Sequence, residues 1–298
     1  MSAWKIGAFD KTTVLDRPVS TETLESGPVR RRERSVYEYD ISRITQDALT
    51  YPGGGRVDYE TTVDWKQVGN AEHGSDMLKV AFGTGLQAET ATYEIPFGDV
   101  SRKNDGHEAV ALKWCDLSTP ERGVSVLNDC KHGYDVQDGV IRLTLLRSSY
   151  EPDPAPDVGT HHLRYAAISH DGPLDKAAVA RAAWEFNEPL QTQVLTATDK
   201  RKHVRAWSGC SVEPTNVIVT AVKRAEDGDD IVLRAYECAG KPVAATLRLG
   251  FEGQGVSEAD LLERDLPDAG RVTIGGHTLT AEFKPYEIRT FRVSVKPR

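Results

Sequence analysis

Helical segments, long apolar runs and paired cysteines are scarce in this sequence, and each scarcity excludes something. No uninterrupted apolar stretch approaches the roughly 20 residues that a membrane-spanning helix requires. The N-terminus lacks a basic region followed by an apolar core, so no secretory leader is expected. Four cysteines, Cys115, Cys130, Cys210 and Cys238, are scattered without the CxxC spacing of a zinc ribbon. Reduced, mostly buried thiols and a cytoplasmic location are therefore expected. Positive charge is also in deficit: 45 acidic against 37 basic residues give a net charge of −8. That balance disfavours non-specific binding to nucleic acid or to an anionic membrane surface. The basic run at 30–34 is broken by Glu33 and reads as one face of a strand.

What is present is β pattern. At 298 residues, with 39% hydrophobic and 28% charged residues, the chain can build two soluble domains with real cores. Val57, Tyr59, Thr61 and Val63 alternate with polar residues, which predicts a half-buried strand. Further strands are predicted at 78–82, 89–95, 124–127, 140–146 and 161–168, then at 217–222, 231–236, 244–249, 272–274 and 287–295. Proline and consecutive glycines at 51–55 mark a reversal, as does Glu226-Asp227-Gly228-Asp229. One convincing helix is predicted over 174–186, where Leu174, Ala177, Ala178, Arg181 and Trp184 keep helical spacing between Pro173 and Pro189. Many strands with a single helix predict an all-β, antiparallel architecture in two parts.

The stretch 123–157 reads as two strands, a polar loop at 128–138 and a proline-rich exit. That loop holds Asn128, Asp129, Lys131, His132 and Tyr134, a mixture that either solvates a hairpin tip or presents chemistry. Other candidates fare worse on spacing alone. His161 and His162 are neighbours in a strand, so they face opposite sides and cannot chelate together. Asp153, Asp157 and Asp64 offer carboxylates, but nothing pairs them across a sugar. Ser125 and Ser148 lack a strand-turn-helix elbow, and Gly53-Gly54-Gly55 is not followed by the Lys-Ser/Thr of a phosphate loop. Trp65, Trp114, Trp184 and Trp207 are either core residues or sugar platforms.

Several ordered motifs carry a resemblance. They are Glu25-Ser26-Gly27-Pro28-Val29, Val63-Asp64-Trp65, Leu78-Lys79-Val80-Ala81-Phe82 and Tyr93-Glu94-Ile95-Pro96-Phe97-Gly98. They continue with Asn128-Asp129-Cys130-Lys131-His132-Gly133-Tyr134-Asp135, Leu145-Leu146-Arg147-Ser148 and Lys284-Pro285-Tyr286-Glu287-Ile288-Arg289-Thr290. Together they make the chain resemble the C-terminal β portion of glycoside hydrolase family 38, the α-mannosidases. The resemblance implies a large, galactose-mutarotase-like supersandwich over 1–204 and a smaller β-sandwich over 205–298. It implies no catalytic residue, metal or cofactor in this chain, because the family's zinc and its two acids belong to N-terminal catalytic domains. Those domains and mannosides or oligosaccharides are the implied partners, and homo-oligomer contacts are left open. Substrate-binding candidates implied by the resemblance are Asn128, Asp129, Lys131 and Tyr134. Cys130 and His132 depart from the small polar residue and the aromatic expected there. Two rival readings remain: a free-standing carbohydrate-binding module with an exposed aromatic platform, and a mutarotase-like enzyme using His107 or His170 with Glu94.

Overall fold

Alternation of apolar and polar residues sets which face of each strand is buried. A computed structural model describes residues 4, 6–7, 9–194, 206–267 and 270–295. In chain order come β1 (Ser20–Ser26), β2 (Arg31–Tyr39), β3 (Ser42–Thr50), β4 (Arg56–Trp65), β5 (Met77–Gly83), β6 (Thr90–Ile95) and β7 (Gly98–Lys103). Then follow β8 (Ala109–Val110), β9 (Trp114–Ser118), β10 (Arg122–Asn128), β11 (Gly133–Gln137), β12 (Val140–Arg147) and β13 (Gly159–Asp171). Helix α1 (Lys176–Asn187) precedes β14 (Cys210–Glu213), β15 (Val217–Arg224), β16 (Ile231–Glu237) and β17 (Val243–Gly253). The last strands are β18 (Gly255–Ala259), β19 (Val272–Phe283) and β20 (Ile288–Ser294). The chain divides into two units, 1–95 with 99–174, and 96–98 with 175–298.

The first unit is a sandwich. One sheet has nine strands in the order β1-β2-β3-β4-β13-β10-β9-β6-β7, and its partner has four, β5-β12-β11-β8. Their inner faces share one core, to which Val63, Trp65, Tyr93, Leu117, Val126 and Tyr165 come from the larger sheet. Tyr134, Val136, Ile141, Leu143 and Leu146 come from the smaller one. In β4 the predicted period of two is visible: Thr61, Val63 and Trp65 are buried while the residues between them are not. The Trp65 indole N–H donates to Ser148 Oγ at 2.8 Å, so the polar edge of this buried ring is satisfied.

The segment 128–138 differs from the single loop expected of it. Residues 133–137 form β11, in which Tyr134 and Val136 enter the core. The intervening Asp135 and Gln137 masked this short alternation in the sequence. The two-residue turn is instead Asp138-Gly139, with φ of 53° and 72°, the left-handed pair a tight hairpin favours. A Cβ on Gly139 would also lie 2.5 Å from the Leu86 carbonyl oxygen. Strands β10 and β12 therefore sit in opposite sheets, and 129–132 crosses from one to the other.

The basic run forms a strand face, as read. Arg32 and Arg34 on β2 converge on Asp47 of β3, with Arg34 Nε 2.7 Å from Oδ1 and Arg32 Nε 2.8 Å from Oδ2. Hydrogen bonds from Arg34, then Arg32, hold the buried Asp47 carboxyl below its ordinary range. A depressed carboxyl stabilises the fold above its unfolded value of about 3.9, and that contribution is lost as pH falls below this value and through the lower folded one. Urea unfolding of an Asp47→Asn variant is therefore expected to show a flatter loss of stability below about pH 4 than the parent. An unchanged pH dependence contradicts the assignment.

The second unit packs a three-stranded sheet, β14-β17-β19, against a four-stranded one, β15-β16-β20-β18. Leu247, Leu249, Leu279 and Phe283 meet Val217, Leu233, Phe291 and Val293 between them. Helix α1 begins where Asp175 accepts the Ala178 N–H, and it ends two residues before Pro189. Its buried Ala177 and Ala180 pack on Ile218, Tyr236 and Cys238, so it belongs with the second unit. The domain boundary expected at 204/205 lies outside the described residues.

Candidate functional site

The 129–132 crossing is held in place by the residue that precedes it. Asn128 ends β10 and is only 1% exposed. Its amide donates to the Leu112 carbonyl at 2.9 Å and to Tyr134 Oη at 2.7 Å. Its carbonyl oxygen accepts the Lys131 N–H at 2.7 Å. Tyr134 is wholly buried, and burial pushes its phenol well above the usual value. These two sequence-predicted residues brace the loop from below and do not face solvent. Asp129 lies 3.7 Å from Arg164, and its other oxygen is buried with no hydrogen-bond partner among the described residues.

Lys131 does reach a cavity. A depression of about 320 Å³ is lined by Lys131, His132, Glu108, Thr144, Arg147 and Asp157, with Leu145 and Leu146 among its apolar walls. Glu108 binds Lys79 Nζ at 2.5 Å through one oxygen and the Thr144 hydroxyl through the other. Lys79 Nζ also lies 2.5 Å from Asp135, which Arg142 approaches at 2.7 Å. Asp157 accepts the Arg147 N–H at 2.7 Å. Cations, hydroxyl and fixed carboxylates around one small cavity can hydrogen-bond a polyhydroxy ligand from several directions. Lys79, Glu108 and Thr144 were missed in the sequence. Their one legible signal was the outward phase of Lys79 in its strand, since Lys79 and Thr144 are cross-strand partners.

The remaining candidates are dispersed. Asp153 accepts the Ala155 N–H at 2.9 Å, and Asp64 pairs with Lys66 at 2.9 Å. His161 bonds the Asp157 carbonyl at 2.7 Å and His162 bonds Thr62 Oγ1 at 3.1 Å, on opposite faces of β13. His170 and Glu94 do not converge. His170 Nε2 lies 3.0 Å from Asp116 Oδ2, while burial raises the Glu94 carboxyl, which accepts the Lys113 N–H at 2.5 Å. Asp116 also accepts Ser125 Oγ at 2.6 Å. The carboxylate is the centre of this cluster, so no serine–imidazole chain forms of the kind a nucleophile needs. Among the described residues no three His, Cys, Asp or Glu side chains group as a metal site. Among the described residues no helix is long and apolar enough to cross a membrane.

Comparison with known proteins fits this geometry. Residues 1–155 match the glycosyl hydrolases family 38 C-terminal domain, and residues 216–291 match the family 38 C-terminal beta sandwich domain. Human alpha-mannosidase 2C1 is 32% identical over 267 residues, covering 86% of this chain and 25% of its own length. The alpha-mannosidase of Saccharomyces cerevisiae is 28% identical, covering 87% of this chain and 25% of itself. The crystal structure of an alpha-mannosidase from Enterococcus faecalis shares the fold, with a TM-score of 0.74 at 19% identity, over 92% of this chain and 35% of that one. This chain thus spans about a quarter of the length of the curated relatives it matches. Two family-specific β domains in the right order lead to one conclusion: the chain belongs to glycoside hydrolase family 38 and corresponds to its C-terminal β region.

Proposed function

We propose that this chain is the non-catalytic C-terminal part of a retaining α-mannosidase, acting in the cytoplasm. The observation that carries the reading is the pairing of two family 38 β domains with candidate carboxylates, Asp64, Asp153, Asp157 and Glu94, that are each engaged in local structure. A retaining glycosidase needs two acids about 5–5.5 Å apart across the scissile bond. In this reading those acids, and a zinc ion that binds the sugar, belong to N-terminal domains of the same enzyme. The sandwich of the first unit supports them, and the 129–132 loop completes a wall of the substrate cleft. Of the four loop residues, Lys131 is the one placed to donate to a mannoside hydroxyl, since it lines the cavity. Asp129 orients the loop through Arg164, while Asn128 and Tyr134 fix its base.

In the full-length enzyme, Lys131→Ala is expected to lower kcat/KM by about tenfold or more, the worth of one charged hydrogen bond. Stability should change by no more than about 0.5 kcal/mol, because the side chain is not buried in the core. Unaltered kinetics remove Lys131 from the site.

A further inference from the structure

Trp207 stands apart from the other tryptophans considered as sugar platforms. Trp65 and Trp114 are buried in the first unit, and Trp184 donates its indole N–H to Tyr236 Oη at 3.1 Å. Trp207 is 74% exposed, yet its ring rests on a prepared floor. A Cβ on Gly250 would lie 3.1 and 3.2 Å from two indole carbons and 2.3 Å from the Ser208 carbonyl oxygen. One on Gly209 would lie 3.1 and 3.3 Å from two others. The two glycines are themselves joined, since the Gly250 N–H donates to the Gly209 carbonyl at 3.0 Å. Side chains at either position would lift the indole off the sheet, so its six-membered ring lies against backbone while much of its surface stays open to solvent.

Beside this ring runs a polar row. Ser211, Arg248 and Thr278 are successive cross-strand partners on β14, β17 and β19. Their strand neighbours Val212, Leu247 and Leu279 point into the core, which places the row on the outer face. Gly250 follows Arg248 by two residues and shares that face. Hydroxyl, guanidinium and hydroxyl beside an open indole combine an apolar stacking surface with directional donors. Pyranose rings present that same pairing: C–H groups on one face and hydroxyls around the rim. An exposed tryptophan serving only as core would not need a two-glycine floor on the solvent side.

We propose that Trp207, with Ser211, Arg248 and Thr278, forms a pyranose-binding site within the second unit, separate from the Lys131 cavity. Only the choice of mannose as the sugar rests on the family reading above. The site holds a saccharide unit by stacking and rim hydrogen bonds, and it has no part in bond cleavage.

The test uses the 298-residue chain and α-mannotriose, followed by saturation-transfer NMR and titration calorimetry. Saturable binding is expected, with Trp207→Ala weakening it at least tenfold and Trp207→Phe retaining most of it. Gly250→Val should weaken binding through the floor, with circular dichroism confirming that this variant is folded. Val222→Ala, at a half-exposed position on the other sheet of the same unit, should leave the affinity unchanged, which ties binding to the Trp207 face. Absence of saturable binding, equal affinity in Trp207→Ala, or loss of binding in Val222→Ala would each overturn the proposal. None of those results bears on the kinetic effect of Lys131→Ala in the full-length enzyme, which tests the other reading.

Discussion

Replacing Arg289 by methionine is expected to destabilise the second unit by about 3–5 kcal/mol, the usual cost of stranding one half of a buried ion pair. Arg289 is 3% exposed and its partner Glu258 is 9% exposed. Arg289 Nε donates to Glu258 Oε1 at 2.8 Å, and a second guanidinium nitrogen donates to the other oxygen. The same side chain donates to the Glu282 carbonyl at 2.5 Å and the Gly270 carbonyl at 3.1 Å. Its guanidinium also lies 5.1 Å from the Phe291 ring centroid, a favourable cation–aromatic contact. Methionine fills much of the volume but donates nothing, so Glu258 and the carbonyls of Gly270, Arg271 and Glu282 lose their partner together. The double variant Glu258→Gln/Arg289→Met should recover part of the loss, because the uncompensated charge is gone. Chemical unfolding measures both, with the two units free to give separate transitions. A loss below about 1 kcal/mol for Arg289→Met would show the pair to be far more hydrated than its burial implies.

The second large effect is expected at the base of the loop. Asn128→Ala removes donors to Leu112 and Tyr134 and the acceptor for Lys131. Leaving such groups buried without partners costs about 1–3 kcal/mol each, so a total near 3 kcal/mol is expected after partial relaxation. Lys131→Ala, only three residues further along the chain, should cost almost nothing in stability. Thermal unfolding of the two variants side by side checks this contrast. Similar losses in both would mean that Lys131 is structural and that the loop has no member devoted to a ligand.

Much of this was legible in the residues, and the failures have identifiable causes. Period-two alternation in Val57–Val63 and the apolar run 140–146 reported their strands correctly, because one face of each meets the core. The helix was legible from alanine spacing, with its true start set by the Asp175 cap. β11 escaped notice because only two of its five residues are apolar, and the Asp138-Gly139 turn that reveals it was read as part of a longer loop. Asn128 and Tyr134 are ligand-contact candidates through the family resemblance, which carries over hydrogen-bonding capacity and not its direction. Both spend that capacity on each other. The Lys79–Glu108–Asp135 network joins residues 29 and 56 positions apart, and no local pattern announces such a meeting.

The proposed division of labour has this chain shape a sugar-binding wall while another part of the enzyme breaks the bond. Hydrolysis of p-nitrophenyl α-mannoside, assayed with added zinc, probes that division most directly when this chain is compared with the full-length enzyme. No turnover above the buffer rate is predicted for the chain by itself, against ready turnover by the whole protein. Zinc-dependent release of p-nitrophenol by these 298 residues would contradict it.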